Sequence, residues 1–580
     1  MSPSSQPNSN ATKVDYDEKT GRFTIQTPPW LLEKVRQIPN RRWDSRRKLW
    51  TAPALRANAE YLQEHFPVQY FTDQASAMAR SVVQKSRPLR GAMFPAGYRF
   101  KTSPRKYQRT ALDQAYDQNA FAFYMDMGTG KTKVALDLFA AYFLDGKIDR
   151  LLVVTKFSTR KNWVREIGIH VPFEADAYIL DTSKGKHFAQ WNVDVGDRLK
   201  VLVVGTESLA AGSAIKYAES FLGVSTRAAM VVDEAHMIKT HSAVRSKNCV
   251  SLGRMAEYRL IMTGTPVSNG PMDVFMQFEF LDSNIIGIGD FFSFRNRYAV
   301  MGGYEGREII GYQNLSELIE LISPFVFQVR KSEVLTELPP KVFEVREVQL
   351  SDEQKKLYRE ISKNDKAVSG DRGITINSVL ERMLRLQEIC GGVISYERNP
   401  DLYNRAKYEH CRIPGKNPKL DELRAVIEET QASVIIWCRF LEEIAMVSEM
   451  LRETYGPKSL VEIHGAISEQ QRDDNVQAFQ RGEVRFLVGN AATGGVGLNM
   501  TRAEMVVYYS NSFSFTDRDQ SEDRAHRIGQ TKSVTYVDIV CEDTVDEVVL
   551  DALKSKKDVS EFVRHQINES NENILRRLFS

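Results

Sequence analysis

Cysteine is scarce in this sequence, and its spacing argues against a zinc framework. The 580 residues contain five cysteines, and no two of them form a Cys-x-x-Cys pair. We therefore expect no structural zinc site, no disulfide scaffold and a reducing compartment. Long apolar runs are also missing, since none reaches the roughly 18 residues of a membrane span. The net charge of +3 is small, so a site for a polyanion must be a local basic patch.

A phosphate-binding pattern is present, but its first glycine is missing. Residues 121–124 predict a buried strand and residues 134–139 predict a helix. The loop between them contains Gly128, Thr129, Gly130, Lys131 and Thr132. Such a loop closes backbone N–H groups around a phosphate, and the helix N-terminus adds positive potential. We expect Lys131 to bind the β- and γ-phosphates and the Thr132 hydroxyl to hold Mg²⁺. Met125 replaces the first glycine, which leaves a plain glycine-rich turn as the alternative.

Two adjacent carboxylates favour a nucleotide hydrolase over that alternative. Asp233 and Glu234 end the apolar run Met230-Val-Val. An aspartate at the end of a strand suits Mg²⁺, and a glutamate beside it can orient or deprotonate the attacking water. An acid-rich surface turn would not account for the lysine loop earlier in the chain.

Further polar residues stand where a nucleotide motor needs them. Gln108 precedes the loop, and its amide can bind the amino group and a ring nitrogen of adenine together. Three residues that follow another predicted strand are candidates for sensing the γ-phosphate and coupling its state to the rest of the protein: Thr263, Gly264 and Thr265. Arg524 and Arg527 are three apart, so a helix there would place them on one face. A basic surface helix is the alternative for that pair.

The apolar runs fall into two blocks, and they predict an α/β protein. Continuous apolar strands separated by helices indicate parallel sheets covered on both faces. The predicted division is a disordered start at 1–13, a small basic α+β domain at 14–70, a linker at 71–100, a first lobe at 101–270, a helical bridge at 271–415, a second lobe at 416–555 and a helical tail at 556–580. The start has no apolar segment and does not predict a signal peptide.

The small domain carries a basic stretch that contains tryptophan. From Leu31 to Trp50 there are seven basic and two acidic residues. Cations neutralise phosphates and aromatic faces stack on unpaired bases. The candidate contacts to nucleic acid are Arg41, Arg42, Trp43, Arg46, Arg47 and Lys48. The alternative is a small domain with core tryptophans and a solvated basic edge.

Together these segments resemble the Swi/Snf family of superfamily 2 helicase-like, DNA-dependent ATPases. The resemblance runs from about Lys101 to Glu547, and residues 520–530, ending in Arg-Ala-His-Arg-Ile-Gly-Gln, are its most specific part. It implies two RecA-like parallel-sheet lobes with helical Swi/Snf-type insertions, and ATP and Mg²⁺ as cofactors. It also implies that Asp233-Glu-Ala-His is a DEAH box, and that Arg524 and Arg527 are catalytic. By the same resemblance, further contacts to ATP are expected from Gly495 and Gly497, and contacts to DNA from Trp163 and Asn499.

The function that this resemblance implies is ATP-dependent translocation along double-stranded DNA without processive strand separation. The small domain is similar to the HARP-type domain of annealing helicases through Trp43-Asp-x-x-Arg-Lys-x-Trp-Thr. We therefore expect remodelling or reannealing of branched DNA, with roles in DNA repair and recombination. Two alternatives stay open: an ATP-driven remover of DNA-bound proteins such as a stalled polymerase, and a nucleotide-gated DNA-binding protein. We expect a monomer that binds double-stranded or branched DNA and no membrane. Its compartment would be the cytoplasm, at the nucleoid, in a bacterium or virus, and the nucleus in a eukaryote.

Overall fold

The structure, a computed structural model, falls into two compact units. It describes residues 12–85, 93–193, 197–210, 212–267, 270–303, 308–335, 337–364, 376–397, 408–492 and 500–555. Residues 1–126 and 130–334 make up the first unit, and residues 127–129 and 335–580 the second. The predictions for residues 1–11 and for the tail at 556–580 lie outside the described residues.

The chain begins with a small antiparallel sheet backed by helices. Its elements are β1 (Lys13–Asp17), β2 (Arg22–Gln26), α1 (Leu32–Arg36), β3 (Arg42–Asp44), β4 (Leu49–Pro53), α2 (Arg56–His65) and α3 (Asp73–Lys85). The strand order is β1-β2-β4-β3, so β3 is an edge strand. Phe23 and Ile25 of β2 lie opposite Ala52 and Trp50 of β4, and this apolar face forms the core with the helices.

The prediction of a linker at residues 71–100 is corrected by the structure. Helix α3 lies inside that range, and its Ala75, Ala79 and Val82 belong to the core of the small domain. Phe94 belongs instead to the core of the first lobe, where its carbonyl accepts a hydrogen bond from Arg109 Nη2 at 2.8 Å. The helix escapes sequence reasoning because its buried stripe consists mainly of alanines, which give a weak apolar pattern.

The first lobe contains a seven-stranded parallel sheet with the order β13-β5-β10-β9-β6-β8-β7. Its elements are α4 (Lys106–Ala115), β5 (Ala120–Met125), α5 (Lys131–Leu144), β6 (Arg150–Thr155), α6 (Arg160–His170), β7 (Asp176–Ile179), α7 (Gly185–Val193), β8 (Lys200–Gly205), α8 (Ala214–Leu222), β9 (Ala228–Asp233), α9 (Val244–Gly253), β10 (Tyr258–Thr263), α10 (Val274–Ile286), α11 (Phe291–Tyr298), β11 (Ala299–Gly302), β12 (Glu308–Tyr312), α12 (Leu315–Ile322), β13 (Val326–Val329) and α13 (Lys331–Val334). Strands β5, β6, β8 and β9 are buried along their whole length, as expected for a sheet covered on both faces.

The second unit contains a six-stranded parallel sheet with the order β14-β21-β20-β17-β19-β18. Its elements are β14 (Lys341–Val348), α14 (Asp352–Asn364), α15 (Ile376–Cys390), β15 (Val393–Glu397), β16 (Tyr408–Arg412), α16 (Pro418–Glu428), β17 (Val434–Trp437), α17 (Leu441–Tyr455), β18 (Leu460–Ile463), α18 (Glu469–Arg481), β19 (Phe486–Gly489), β20 (Met505–Tyr508), α19 (Phe515–Ala525), β21 (Val534–Cys541) and α20 (Val545–Lys554). The predicted α/β class with two parallel-sheet lobes is confirmed. Within the described ranges, no helix has both the length and the apolar character needed to cross a membrane.

The predicted helical bridge at residues 271–415 also contains strands of both parallel sheets. Its first part contributes β13, which pairs with β5 in the first lobe, and its later part contributes β14, which pairs with β21 in the second. Strand β14 lies at the edge of its sheet, and Val342 and Phe343 are exposed there. Because an edge strand is only partly covered, it alternates charged and apolar residues and lacks the continuous apolar run by which parallel strands are recognised.

Candidate active site

The loop after β5 has the backbone of a phosphate-binding turn. Gly128 and Gly130 have φ angles of +76° and +84°, in the left-handed region that glycine adopts at little cost. Gly130 caps the N-terminus of α5, whose first N–H groups have no partner within the helix. Lys131 is only 9% exposed, and its ammonium group donates to the carbonyl of Met125 at 2.8 Å. Met125 itself is fully buried in the lobe core, so this position offers the loop its carbonyl and uses its side chain for packing.

Gln108 lies against this loop. Its side chain is buried, and its Oε1 accepts the backbone N–H of Arg105 at 2.9 Å. A Cβ added to Gly130 would lie 2.5 Å from Gln108 Nε2. The absence of a side chain at residue 130 therefore admits the amide of Gln108 to the edge of the loop.

Asp233 ends β9 with both carboxylate oxygens held in place. Oδ2 accepts the Thr155 hydroxyl at 3.0 Å and the Trp163 indole N–H at 2.9 Å. Oδ1 accepts the backbone N–H of Glu234 at 3.0 Å. These donors come from β6, α6 and the turn after β9, so three neighbouring elements fix one carboxylate.

The prediction that Trp163 contacts DNA is corrected by this geometry. Its side chain is 1% exposed and packs in the lobe core, so it has no face available to a large ligand. Its indole N–H donates a hydrogen bond to Asp233. Sequence reasoning also missed Thr155, because a threonine that ends an apolar strand gives no signal of its hydrogen-bond partner.

Glu234 is connected to the predicted coupling segment through His236. Glu234 has a left-handed backbone with φ +55°, and its Oε2 lies 3.2 Å from Nδ1 of His236. The same Nδ1 lies 3.3 Å from the Thr263 hydroxyl, which accepts the backbone N–H of Thr265 at 3.1 Å. The second carboxylate and residues 263–265 thus share one histidine, a role that the sequence did not indicate.

The two carboxylates have opposite pKa shifts. Burial raises the pKa of Asp233, and the charge of Glu234 adds to this rise, while Trp163, Lys131 and Thr155 oppose it. Burial also acts to raise the pKa of Glu234, but the hydrogen bond with His236 and the charge of Lys131 outweigh it and lower the pKa to about 2. Glu234 is therefore ionised at neutral pH and can accept a hydrogen bond from a water molecule.

The donor set at Thr132 and Asp233 fits a hard divalent cation. Mg²⁺ prefers oxygen ligands, with one or two carboxylates and the substrate phosphates. Thr132 offers a hydroxyl in the first turn of α5, and Asp233 offers a carboxylate whose orientation is already set by three donors. The assignment of Mg²⁺ to these residues stays a prediction that this chemistry supports.

In the second unit, Arg524 is a buried cation without a hydrogen-bond partner on two of its nitrogens. Its side chain is 4% exposed, and neither Nε nor Nη1 has a partner among the described residues. Its guanidinium carbon lies 5.2 Å from the centre of the Trp437 ring. Burial lowers the pKa of Arg524 to about 10. A group left in this state is suited to an incoming anion, because burying a charge unpaired is costly.

Arg527 does not share a helical face with Arg524, because the helix that would have placed them together ends before residue 527. Helix α19 ends at Ala525, and His526 leaves the helical conformation with φ −99° and ψ 79°. The turn is held by His526, whose Nε2 lies 2.7 Å from the Pro339 carbonyl, and by Gln530, whose Nε2 donates to the Ala503 carbonyl at 2.9 Å. The three other predicted site residues of this unit, Gly495, Gly497 and Asn499, lie outside the described residues.

The small domain exposes the predicted basic surface. We call Arg41, Arg42, Trp43, Arg46 and Lys48 the hairpin surface, since all five are exposed and lie on or beside β3 and its turn. Trp43 is 51% exposed, and its ring centre lies 5.2 Å from that of Trp50. Trp50 packs against the core of the small domain. The two tryptophans thus divide the roles that the sequence left open, with Trp50 in the core and Trp43 on the surface.

Arg47 differs from its neighbours on this stretch. It forms an ion pair with Asp17, with 2.7 Å between Nη1 and Oδ2. This contact ties the hairpin turn to β1. Arg47 is therefore a weaker candidate for a phosphate contact than the members of the hairpin surface.

Comparisons with known proteins agree with the order of these motifs. The SNF2-related domain family matches residues 40–392, and the helicase conserved C-terminal domain family matches residues 416–529. YwqA of Bacillus subtilis is 26% identical over 479 residues, which cover 80% of this chain and 49% of that protein. The nuclear protein STH1/NPS1 of Saccharomyces cerevisiae is 26% identical over 477 residues, covering 78% and 34%. The ATP-dependent helicase fft2 of Schizosaccharomyces pombe is 23% identical over 552 residues, covering 83% and 41%.

A solved structure is similar at low identity. The SWI2/SNF2 ATPase core of Sulfolobus solfataricus in complex with dsDNA is 22% identical, with a TM-score of 0.37, and the match covers 84% of this chain and 97% of that one. The chain spans about half or less of the length of the three curated relatives named above.

Proposed function

Because the chain belongs to the SNF2-related family, we propose that it is an ATP-dependent translocase on double-stranded DNA. It remodels or reanneals branched DNA without processive strand separation. The observation that carries the hydrolytic part is the grouping of Asp233, Glu234 and Lys131, in which the lysine charge favours the ionised form of both carboxylates. The names of the relatives, among them an ATP-dependent helicase, support the use of ATP.

The loop residues bind the nucleotide. Lys131 exchanges its contacts with the Met125 and Asp126 carbonyls for the phosphate oxygens, and the first N–H groups of α5 add donors. Gln108 binds the adenine edge from its place beside Gly130. Thr132 and Asp233 would hold Mg²⁺, which would neutralise phosphate charge and polarise the γ-phosphoryl group.

Glu234 acts on the attacking water. Its carboxylate accepts a hydrogen bond from the water, orients the oxygen towards the γ-phosphorus and takes up the proton as the bond to the ADP oxygen breaks. His236 carries the change in Glu234 to Thr263, since one Nδ1 atom contacts both. We assign to this connection, and to residues 263–265, the coupling between ATP hydrolysis and movement along DNA.

Arg524 and Arg527 supply the remaining positive charge. A guanidinium stabilises the charge on the transferred phosphoryl group in related reactions, and it is typically worth 10³- to 10⁵-fold in rate. The burial of Arg524, with Nε and Nη1 lacking a hydrogen-bond partner among the described residues, supports this assignment. Gly495 and Gly497 are assigned to ATP and Asn499 to DNA by family resemblance alone.

The DNA substrate is bound by the motor and by the hairpin surface. Exposed arginine and lysine side chains neutralise phosphates, and Trp43 presents an indole face on which an unpaired base can stack. A cationic strip beside one stacking face is suited to a place where a duplex meets unpaired nucleotides. This supports branched DNA as the substrate over uniform duplex.

The deciding experiment compares nucleic acids as activators of ATP turnover. We expect duplex and forked DNA to stimulate hydrolysis more than single-stranded DNA, and RNA to stimulate it least. The same protein should displace a triplex-forming strand from duplex DNA and fail to unwind a tailed duplex. Efficient unwinding of the tailed duplex, or stimulation by RNA equal to that by duplex DNA, would refute the proposal.

A further inference from the structure

The small domain and the first lobe meet at a close contact in which two glycines of the lobe leave no room for a side chain. In the turn between α10 and α11, a Cβ on Gly287 would lie 2.9 Å from the backbone nitrogen of Ala57 and 3.2 Å from Cβ of Arg56. A Cβ on Gly289 would collide with the Leu55 side chain. Gly287 and Gly289 have φ angles of +78° and +81°. The start of α2 therefore approaches this turn as closely as backbone allows, and α10 also contacts α2 and α3.

Asn40 also binds this turn and the helix after it. Its Nδ2 donates to the Ile288 carbonyl, and its Oδ1 accepts the Ser293 hydroxyl at 3.2 Å. Ser293 is itself positioned by Asp290, whose Oδ1 accepts the Ser293 N–H at 3.0 Å and caps α11. Both polar ends of the Asn40 side chain are thus used on the first lobe.

The residue that docks the domain also orients the hairpin surface. Arg41, Arg42 and Trp43 follow Asn40 directly in the chain. The Asn40 carbonyl accepts Arg22 Nη2 at 2.9 Å, and Arg22 Nε donates to the Thr51 hydroxyl of β4 at 3.1 Å. The contact of Asn40 with the lobe is therefore connected to β2 and β4. Strand β4 pairs with β2 on one side and with β3 of the hairpin on the other.

We infer that the small domain is a fixed arm of the first lobe, and that its docked orientation gives the preference for branched DNA. The inference rests on the proposed function and deepens it. A domain that is only tethered raises the effective concentration of any DNA that it binds, whatever the shape of that DNA. A docked arm accepts only a substrate whose unpaired segment lies at one place relative to the duplex on the lobe. Fork preference should then depend on Asn40 and on the α10–α11 turn that it contacts.

The test releases the arm without substituting any residue of the hairpin surface or of the nucleotide site. In the full chain, Asn40→Ala is combined with Gly287→Ala, which puts a Cβ against the backbone of Ala57. The matched control is Gly146→Ala, since Gly146 follows helix α5, has a φ of +68° and has nothing within 4 Å of an added Cβ. Affinities for a fork and for a plain duplex, ATP turnover without DNA and hydrogen exchange of α2 and α10 are measured for all three proteins.

We expect faster exchange of α2 and α10 in the double variant, a fork-to-duplex affinity ratio that falls to about one, and unchanged ATP turnover without DNA. The Gly146→Ala control should keep the ratio of the native chain. A released arm that keeps the full fork preference would overturn the inference, because tethering would then suffice. Unchanged exchange in the double variant would also overturn it, because these contacts would then not hold the arm.

Failure of the proposed DNA surface gives a different pattern. Arg42→Ala combined with Trp43→Ala leaves the docking contacts in place, so hydrogen exchange of α2 and α10 should stay native. Loss of fork preference in this variant is expected. If it binds forks as the native chain does, the hairpin surface is not the DNA site, and the inference falls with that assignment although the arm remains docked.

Discussion

His236 and Glu234 form a contact of 3.2 Å between Nδ1 and Oε2 in the first lobe. The same nitrogen also lies 3.3 Å from the Thr263 hydroxyl. A change in the charge of Glu234 therefore changes the interactions of a side chain that contacts Thr263. Sequence reasoning placed Glu234 and Thr263 in separate roles. The structure connects them through one side chain, so a variant of that side chain tests whether the proposed hydrolytic and coupling roles can be separated.

The first prediction concerns the nucleotide site itself. Lys131→Ala should weaken ATP binding, and Glu234→Gln should bind ATP but fail to hydrolyse it. Each should lower turnover by well over the roughly 100-fold that a general base alone supplies. Turnover and nucleotide affinity are measured separately, with Lys186→Ala and Glu219→Gln as exposed controls of the same residue types. Retention of about a tenth of native turnover by either site variant would contradict the assignment.

Trp163→Phe tests the claim that this residue positions Asp233. Phenylalanine keeps an aromatic ring in the core but removes the N–H that donates to Oδ2. That hydrogen bond lowers the pKa of Asp233 against the larger effect of burial, so its loss should raise the pKa further. The acid limb of the turnover profile should therefore move to higher pH. An unchanged profile with a lower Tm alone would mean that Trp163 serves only packing.

His236→Ala should separate hydrolysis from movement. The hydrogen bond with His236 is the largest of the effects that lower the pKa of Glu234 to about 2 against burial. The ionised state of Glu234 stabilises the native fold above its ordinary pKa, and this stabilisation is lost as the pH falls towards the folded value. Without the histidine the folded pKa rises towards the ordinary value, so the stabilisation becomes smaller and its loss on acidification ends at a higher pH.

The decisive measurement for His236→Ala is the ratio of DNA translocation to ATP turnover. We expect the ratio to fall in His236→Ala and to be retained in His241→Ala, a histidine that lies in the same lobe and stacks on Phe291. An equal loss of turnover and translocation would place His236 in the hydrolytic step alone.

The sequence predicted the parts of the site that are contiguous. The strand–loop–helix pattern around Lys131 and the strand ending at Asp233 depend on local apolar runs and glycines, which are visible in a single sequence. The partners of Asp233 were not predictable, because Thr155 and Trp163 reach it only through the order of β6, β9 and β10 in the sheet. Trp163 was misassigned for the same reason, since its burial is a tertiary property.

The predicted element and domain boundaries were wrong where the apolar pattern of the sequence was weak or fitted more than one kind of element. Helix α3 packs mainly through alanines and was taken for part of a linker, and edge strand β14 resembles a half-exposed strand more than a parallel one. Whether residue 527 lies on a helix was left open by the sequence, because nothing in Arg-Ala-His-Arg indicates that α19 ends at Ala525. In each case a contact distant in sequence, and not local propensity, decides the structure.

Trp43 and Trp50 should respond differently to alanine. Trp50→Ala removes a side chain that packs on the core of the small domain, and it should lower the free energy of unfolding by up to about 3 kcal/mol. Trp43→Ala should leave stability nearly unchanged, since the side chain is 51% exposed, and should weaken binding to DNA with unpaired bases. Calorimetry and binding to a gapped duplex measure the two effects. A large loss of stability in Trp43→Ala would assign both tryptophans to the core.

The last prediction uses the contrast between two buried arginines of the second unit. Arg518 is paired with Asp538 through two hydrogen bonds of 2.5 and 2.9 Å, whereas Arg524 has two nitrogens without a partner among the described residues. Removing one member of a buried pair typically costs about 3–5 kcal/mol, so Arg518→Met should destabilise the protein and impair turnover only through folding. Arg524→Met removes a buried charge of which two nitrogens have no hydrogen-bond partner among the described residues. It should raise the free energy of unfolding while lowering turnover at saturating ATP by about 10³-fold or more.

Opposite effects of the two substitutions on the free energy of unfolding would distinguish a catalytic arginine from a structural one. Chemical unfolding and steady-state ATP turnover on the same two variants measure these effects, with ATP affinity as a third quantity that should stay near native in Arg524→Met. Destabilisation of Arg524→Met to the level of Arg518→Met would show that Arg524 has a structural partner. Native turnover in a stabilised Arg524→Met would remove this residue from the catalytic group and leave Arg527 as the remaining candidate.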